Sequence, residues 1–117
     1  MGKSISKLLR EGLELAITDE NPDTTTFYVK DGQETVGIIT LSTNVTNLKD
    51  SMEIVSLHVK KGLNKVAYAK RILHLVWIHF KATNTLVIEP KPYSQLLWGR
   101  MGAHQLNKTF LMIQRGH

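Results

Sequence analysis

The sequence predicts a mixed α/β domain, a mixed sheet with helices packed against it. Three observations carry that reading. Two runs rich in β-branched and aromatic residues, 24–29 and 35–40, flank Asp31-Gly32, the short-range signature of a hairpin. A long amphipathic stretch, residues 63–82, lies between two strand-like runs, as a strand–helix–strand unit requires. With 117 residues, 42% hydrophobic and 21% charged, the chain has the size and composition of one globular domain.

From the N-terminus, Ile5, Leu8, Leu9, Leu13 and Ile17 recur at spacings of three and four behind Ser4, a favourable N-cap. Residues 4–16 are therefore expected to form a short amphipathic helix. Asp19 to Asp23 reads as a loop, because Pro22 biases Asn21 away from helix. The two hairpin strands follow, turning through Lys30-Asp31-Gly32-Gln33, and the polar residues 44–51 form a longer loop. Residues 52–60 alternate as a third strand, with Glu53, Val55, Leu57 and Val59 on one face and Met52, Ile54, Ser56 and His58 on the other. Gly62 then breaks the chain before the long helix, whose apolar stripe includes Leu63, Val66, Ala67, Leu73, Val76, Trp77 and Phe80. The short run Leu86-Val87-Ile88 is a buried strand closed by Glu89-Pro90. Pro92 suits the first turn of a helix over 93–101, Gly102 stops it, and residues 109–113 form the last strand.

Composition narrows the function classes. There is no cysteine, so disulfides, thiolate zinc sites and cysteine nucleophiles are all excluded. No apolar run reaches membrane-spanning length and the first ten residues lack a signal-peptide core, so the expected compartment is the cytoplasm. The net charge of +5 is unevenly spread. Residues 1–53 carry nine acids against five bases, whereas residues 54–117 carry ten bases against the single acid Glu89. A C-terminal half this basic is expected to meet something anionic, such as a polyphosphate, a nucleic-acid backbone or an acidic protein.

The turn from the third strand into the long helix concentrates the binding signal. A helix start exposes unpaired N–H groups and partial positive charge, and Lys60, Lys61 and Lys65 surround this one. Together they suit a phosphate or diphosphate. Neither a Walker loop nor a Gly-x-Gly-x-x-Gly fingerprint is present. His74 and His79 are five apart and share no helix face, so a metal site is not expected there.

From this joint onward the chain resembles the GNAT (GCN5-related N-acetyltransferase) superfamily. Leu57-His58-Val59 is similar to the family's Leu-x-Val strand end. Asn64-Lys65-Val66-Ala67-Tyr68-Ala69 lies where the family's Arg/Gln-x-x-Gly-x-Gly/Ala loop cradles the diphosphate of acetyl-CoA, and two aliphatics, Ile72-Leu73, follow. Further on, residues 91–103 resemble the family's Asn-x-x-Ala-x-x-Leu-Tyr-x-x-x-Gly-Phe, with Leu97 and Gly102 matching and Ser94 a small-for-small exchange. The resemblance runs in element order from Thr24 to the C-terminus. The departures fall on functional positions: Lys65 for the loop glycine, Asn64 for Arg/Gln, Lys91 for Asn, and Trp98 where a tyrosine often protonates the departing thiolate. The family's first strand and second helix look shortened or missing, which implies a GNAT-like fold trimmed at the N-terminus, of the kind that small virus-encoded proteins also show.

The resemblance implies acetyl-CoA as cofactor, bound by Leu57, His58, Val59, Asn64, Lys65, Val66, Ala67, Tyr68 and Ala69. It implies a carboxylate base, for which Glu53 is the first candidate and Glu89 the second. His58 offers another proton acceptor. Tyr93 and Tyr68 are the candidates for the missing acid. Two readings follow: an acyl-CoA-dependent N-acyltransferase acting on an amine, or a catalytically inactive GNAT-fold protein that binds a protein partner or serves as a structural component, for example of a phage virion. Nucleic-acid binding ranks third, because the bases are scattered and no reading motif is present.

Overall fold

The computed structural model describes residues 12–43 and 49–115. Seven strands form one sheet in the order β1-β2-β3-β4-β5-β7-β6. β1 (Leu13–Glu20), β2 (Thr24–Asp31), β3 (Glu34–Ser42) and β4 (Ser51–Val59) form an antiparallel meander. The helix α1 (Lys65–His79) crosses over to β5 (Thr85–Ile88), which pairs with β4 in parallel. A 3-10 turn (Pro92–Ser94) and the short helix α2 (Gln95–Arg100) lead to β6 (His104–Gln105) and β7 (Leu111–Gln114), which returns antiparallel to β5.

The expected N-terminal helix is corrected over its last third. Residues 4–11 lie outside the described residues, but Leu13 to Ala16 belong to strand β1. The physical reason is a shared pattern: Leu13 and Ile17, four apart, fit one helix face, and with Leu15 between them they alternate as a strand does, so pairing with β2 decides the outcome. β1 and β2 are joined by Asn21, Pro22 and Asp23 alone, where the Asn21 amide donates to the Thr24 carbonyl at 2.8 Å. A full first strand is thus present, and no helix intervenes before the second. The hairpin is as expected, tightened to a two-residue link in which Gly32 takes φ of 65°. The two-residue β6 carries no pattern that a sequence reading could find.

The alternation expected along β4 is also corrected. Thr40 faces Ser56 and Leu41 faces Ile54, so Val55 is an extra residue with no partner on β3. This bulge flips the phase: Met52 and Ile54, then Leu57 and Val59, face the core, while Glu53, Ser56 and His58 share the opposite face. Val55 itself is 52% exposed.

The core lies between α1 and the sheet. Phe27, Val29, Ile39 and Leu41 from the meander meet Ile72, Leu73 and Val76 from α1, and Leu86, Ile88 and Ile113 extend the cluster toward the far edge. Close approach of the helix depends on Gly37. A Cβ there would stand 2.9 Å from the His58 carbonyl oxygen and 3.3 Å from Ile72 Cδ1. The C-terminal end of α1 is held by Arg115. Its Nη2 donates to the carbonyls of Trp77, Phe80 and Thr83 at 3.1, 3.0 and 2.7 Å, and its guanidinium lies 4.9 Å from the centre of the Trp77 ring. The Trp77 carbonyl is one that the last turn leaves without an intrahelical donor, Phe80 is the C-cap and Thr83 lies just beyond it, and a cation there also meets the negative end of the dipole.

Two outcomes follow. Arg115→Ala should lower stability by about 2 kcal/mol, the scale of charged hydrogen bonds, and the melting temperature by roughly 8 °C. Arg115→Lys should recover only part, because one ammonium cannot reach several carbonyls in a fork. Gly37→Ala should cost about 1–3 kcal/mol by overpacking, read as a lower urea midpoint with an unchanged slope.

Candidate functional site

The parallel ladder between β4 and β5 is short. It runs from Ser51–Thr85 to Ile54–Ile88 and stops. β5 ends because Pro90 has no N–H to extend a ladder, and Pro92 follows two residues on. β4 continues to Val59, held by β3 alone. The bulge at Val55 sits at this divergence and bends the strand away. Between the two strands opens a gap of about 220 Å³. Ile54 to His58 form one wall, Ile88 and Glu89 the other. Lys65 comes from α1, and Lys91, Ser94, Leu97 and Trp98 close the far side. The volume is below the roughly 300–1,000 Å³ of a drug-sized pocket, so it suits a thin chain rather than a whole nucleotide.

The start of α1 borders the gap. Asn64 is the N-cap with extended backbone, and its Oδ1 accepts from the Ala67 amide at 3.0 Å. The Tyr68 amide donates to the Asn64 carbonyl at 3.0 Å. Helical geometry then leaves the Lys65 and Val66 amides as first-turn donors with no intrahelical acceptor. The cradle expected over residues 64–69 is thereby narrower: the Ala67 amide is taken by Asn64, the Tyr68 amide is used within the chain, and Ala69 is fully buried. Of the three lysines around the turn, Lys60 forms an ion pair with Glu34, while Lys61 and Lys65 are exposed.

The remaining candidates separate into those at the gap and those beside it. Leu57 and His58 line it, and Val59 ends β4 packed against the core. Glu53 lies on the same sheet face as His58, half-buried. Burial lifts its carboxyl above the usual carboxylate range, and the nearby Glu89 charge adds to the shift. Tyr68 packs against the core with the Arg71 guanidinium 5.5 Å from its ring centre. Tyr93 falls in the 3-10 turn, and its side chain lies outside the described residues. Trp98 is 5% exposed and contributes to core and gap together. Its indole N–H is a donor only, so it supplies no acid.

Ile54, Val55, Ser56 and Ile88 are gap residues that sequence reasoning missed. A signal existed for Val55 and Ser56. The apolar phase along β4 slips by one between Ile54 and Leu57, which is how a bulge reads in sequence.

No family model matches the chain, and no curated protein matches it either. Solved structures do. An acetyltransferase from Thermus thermophilus superposes with a TM-score of 0.68 at 13% identity, covering 81% of this chain and 66% of that one. An acetyltransferase from Bacillus subtilis, solved in complex with CoA, gives 0.61 at 13% identity, with 88% and 99% covered. Tetrahymena GCN5 gives 0.63 at 12% identity, with 80% and 69% covered. This chain therefore spans just under two thirds of the Thermus protein and nearly all of the Bacillus one. The seven-stranded mixed sheet, its parallel β4–β5 pair and these superpositions agree: the chain has the GNAT fold.

Proposed function

We propose that this protein binds an acyl-CoA in the gap between β4 and β5 and transfers the acyl group to an amine. The observation that carries the reading is the divergence of two parallel strands beside the start of α1. Backbone groups of β4 beyond Ile54 have no β5 residue opposite them, so they are placed to hydrogen-bond an extended amide-bearing chain such as pantetheine. The diphosphate would rest outside the gap on the Lys65 and Val66 amides, with the Lys61 and Lys65 ammonium groups beside it. The CoA complex of the Bacillus subtilis neighbour supports this choice of ligand.

When bound, the thioester supplies an activated acyl carbon. The chain's part is to position it and move protons. Glu53, with its raised pKa, is suited to take the proton of the incoming ammonium, and His58 on the same face is a second acceptor. The amine nitrogen then attacks the carbonyl, the C–S bond breaks, and the thiolate needs a proton. Tyr93 is the candidate donor; water entering the gap is the other.

One observation favours a second reading, a partner-binding protein that keeps the fold without the chemistry. Trp98 closes the gap where a proton donor would serve the leaving thiolate. Turnover separates the two.

Acetyl-CoA at a hundredfold above its dissociation constant should stabilise the protein by about 2.7 kcal/mol, and Lys65→Glu should weaken binding at least tenfold. An unmoved melting temperature at millimolar acetyl-CoA would rule the reading out. For an active enzyme, kcat/KM should rise with pH through a value above that of an ordinary glutamate. Glu53→Gln should remove this limb and lower the rate by roughly 10²–10⁴-fold. The same group makes a linked prediction about stability. Its folded pKa lies above its unfolded one, so its contribution is full at low pH and is lost as pH rises through the folded value. Glu53→Gln should therefore raise the melting temperature relative to the parent at pH 7, with the difference shrinking on acidification.

A further inference from the structure

A second, larger hollow of about 510 Å³ lies away from the β4–β5 gap and shares no residue with it. One side is a stripe of α1 formed by Lys70, Leu73, His74, Trp77 and Ile78, spaced i, i+3, i+4, i+7 and i+8. Met101, Ile113 and Arg115 form the other. Residues 70 to 78 span about 12 Å of helix axis, two turns and more. A stripe with this spacing is the surface one helix offers another, yet Ile78 is 53% exposed and no described element packs over it. The floor is apolar and the rim is basic.

Among the described residues no carboxylate lines this hollow. α1 contains no acid, and none occurs after Glu89, which belongs to the other gap. Lys70 and Arg115 therefore face the hollow without an acidic partner among its described lining residues. We infer that this groove docks an acidic amphipathic helix of a partner protein, with its apolar side on Leu73, Trp77, Ile78 and Met101 and its carboxylates against Lys70 and Arg115.

Other occupants fit less well. Residues 1–11 carry Lys3, Lys7 and Arg10 against Glu11, so they share the sign of the rim. A second copy would bring its acids on strands and turns, at Glu14, Asp19, Glu20 and Asp23, rather than on a helix. A nucleic-acid backbone gains nothing from an apolar floor.

The test uses the full chain and two designed 18-residue helical peptides. Both carry leucine at i, i+3, i+4 and i+7; one is flanked by glutamate, its twin by lysine. The glutamate peptide should bind at least tenfold more tightly than its twin, measured by peptide anisotropy and by tryptophan emission in a Trp98→Phe background that leaves Trp77 as the reporter. Ile78→Glu and Lys70→Glu should each weaken it about tenfold. Leu96→Glu, at a residue 72% exposed and outside the groove, should change nothing. Circular dichroism verifies folding of every variant. Equal binding of the two peptides, no binding of either, or indifference to Ile78→Glu would overturn the inference. So would displacement by a single-stranded oligonucleotide, tighter binding in Leu8→Glu (the chain's own N-terminal residues seated there), or a dimer in sedimentation that Ile78→Glu dissolves.

Discussion

β4 pairs with β5 from Ser51 to Ile54 and with β3 from Glu53 onward, so only Glu53 and Ile54 have neighbours on both sides and the strand beyond them has β3 alone. That asymmetry is a constraint on hydrogen bonding before it is a feature of function. Backbone donors and acceptors want partners, and a central strand that loses one neighbour midway exposes a row of them inside the molecule. Pro90 ends β5 from one side, and the unpaired Val55 bends β4 from the other. Everything at the gap depends on this divergence: the lining by Leu57 and His58, the reach of Lys65 into it, and the placement of Glu53 on the face of Ser56 and His58.

The two ends of α1 are treated differently, and the difference has a physical logic. At the C-terminal end Arg115 donates to the Trp77, Phe80 and Thr83 carbonyls and ties that end to the residue after β7. At the N-terminal end Asn64 satisfies only one of the free amides and leaves those of Lys65 and Val66 toward the gap. A helix anchored at one end and open at the other presents its positive pole to whatever enters. Gly37 sets how close that helix lies to the sheet, because a side chain there would collide with the β4 backbone.

Charge separates along with architecture. Apart from Asp50, Glu53 and Glu89, the acids in described elements sit on β1, β2 and β3 and their turns, and the bases gather on α1 and the segments after it. The paired Lys60 and Glu34 lie where the two regions meet. The basic side therefore carries both hollows, one polar and narrow between strands, the other wide and apolar along the helix.

Much of this was legible in the sequence because local signals agreed with tertiary ones. The Asp31-Gly32 turn, the long helix after Gly62, and the proline-bounded Leu86–Ile88 strand all have short-range causes, although the helix is Lys65–His79 and its cap Asn64 fell inside the expected span 63–82. The first strand was not legible: Leu13 and Ile17 satisfy two periods at once, and only the β2 edge chooses between them. The faces of β4 were misread for a related reason, since alternation presumes that every residue has an opposite, and Val55 has none. Sequence alone determined the order of elements from β2 to β5 and the sign of the charge beside the binding turn, because both are written in neighbouring residues. Tertiary structure decided which amides stay open, where Glu53 faces and that a gap exists at all, because each depends on a strand partner distant in the chain.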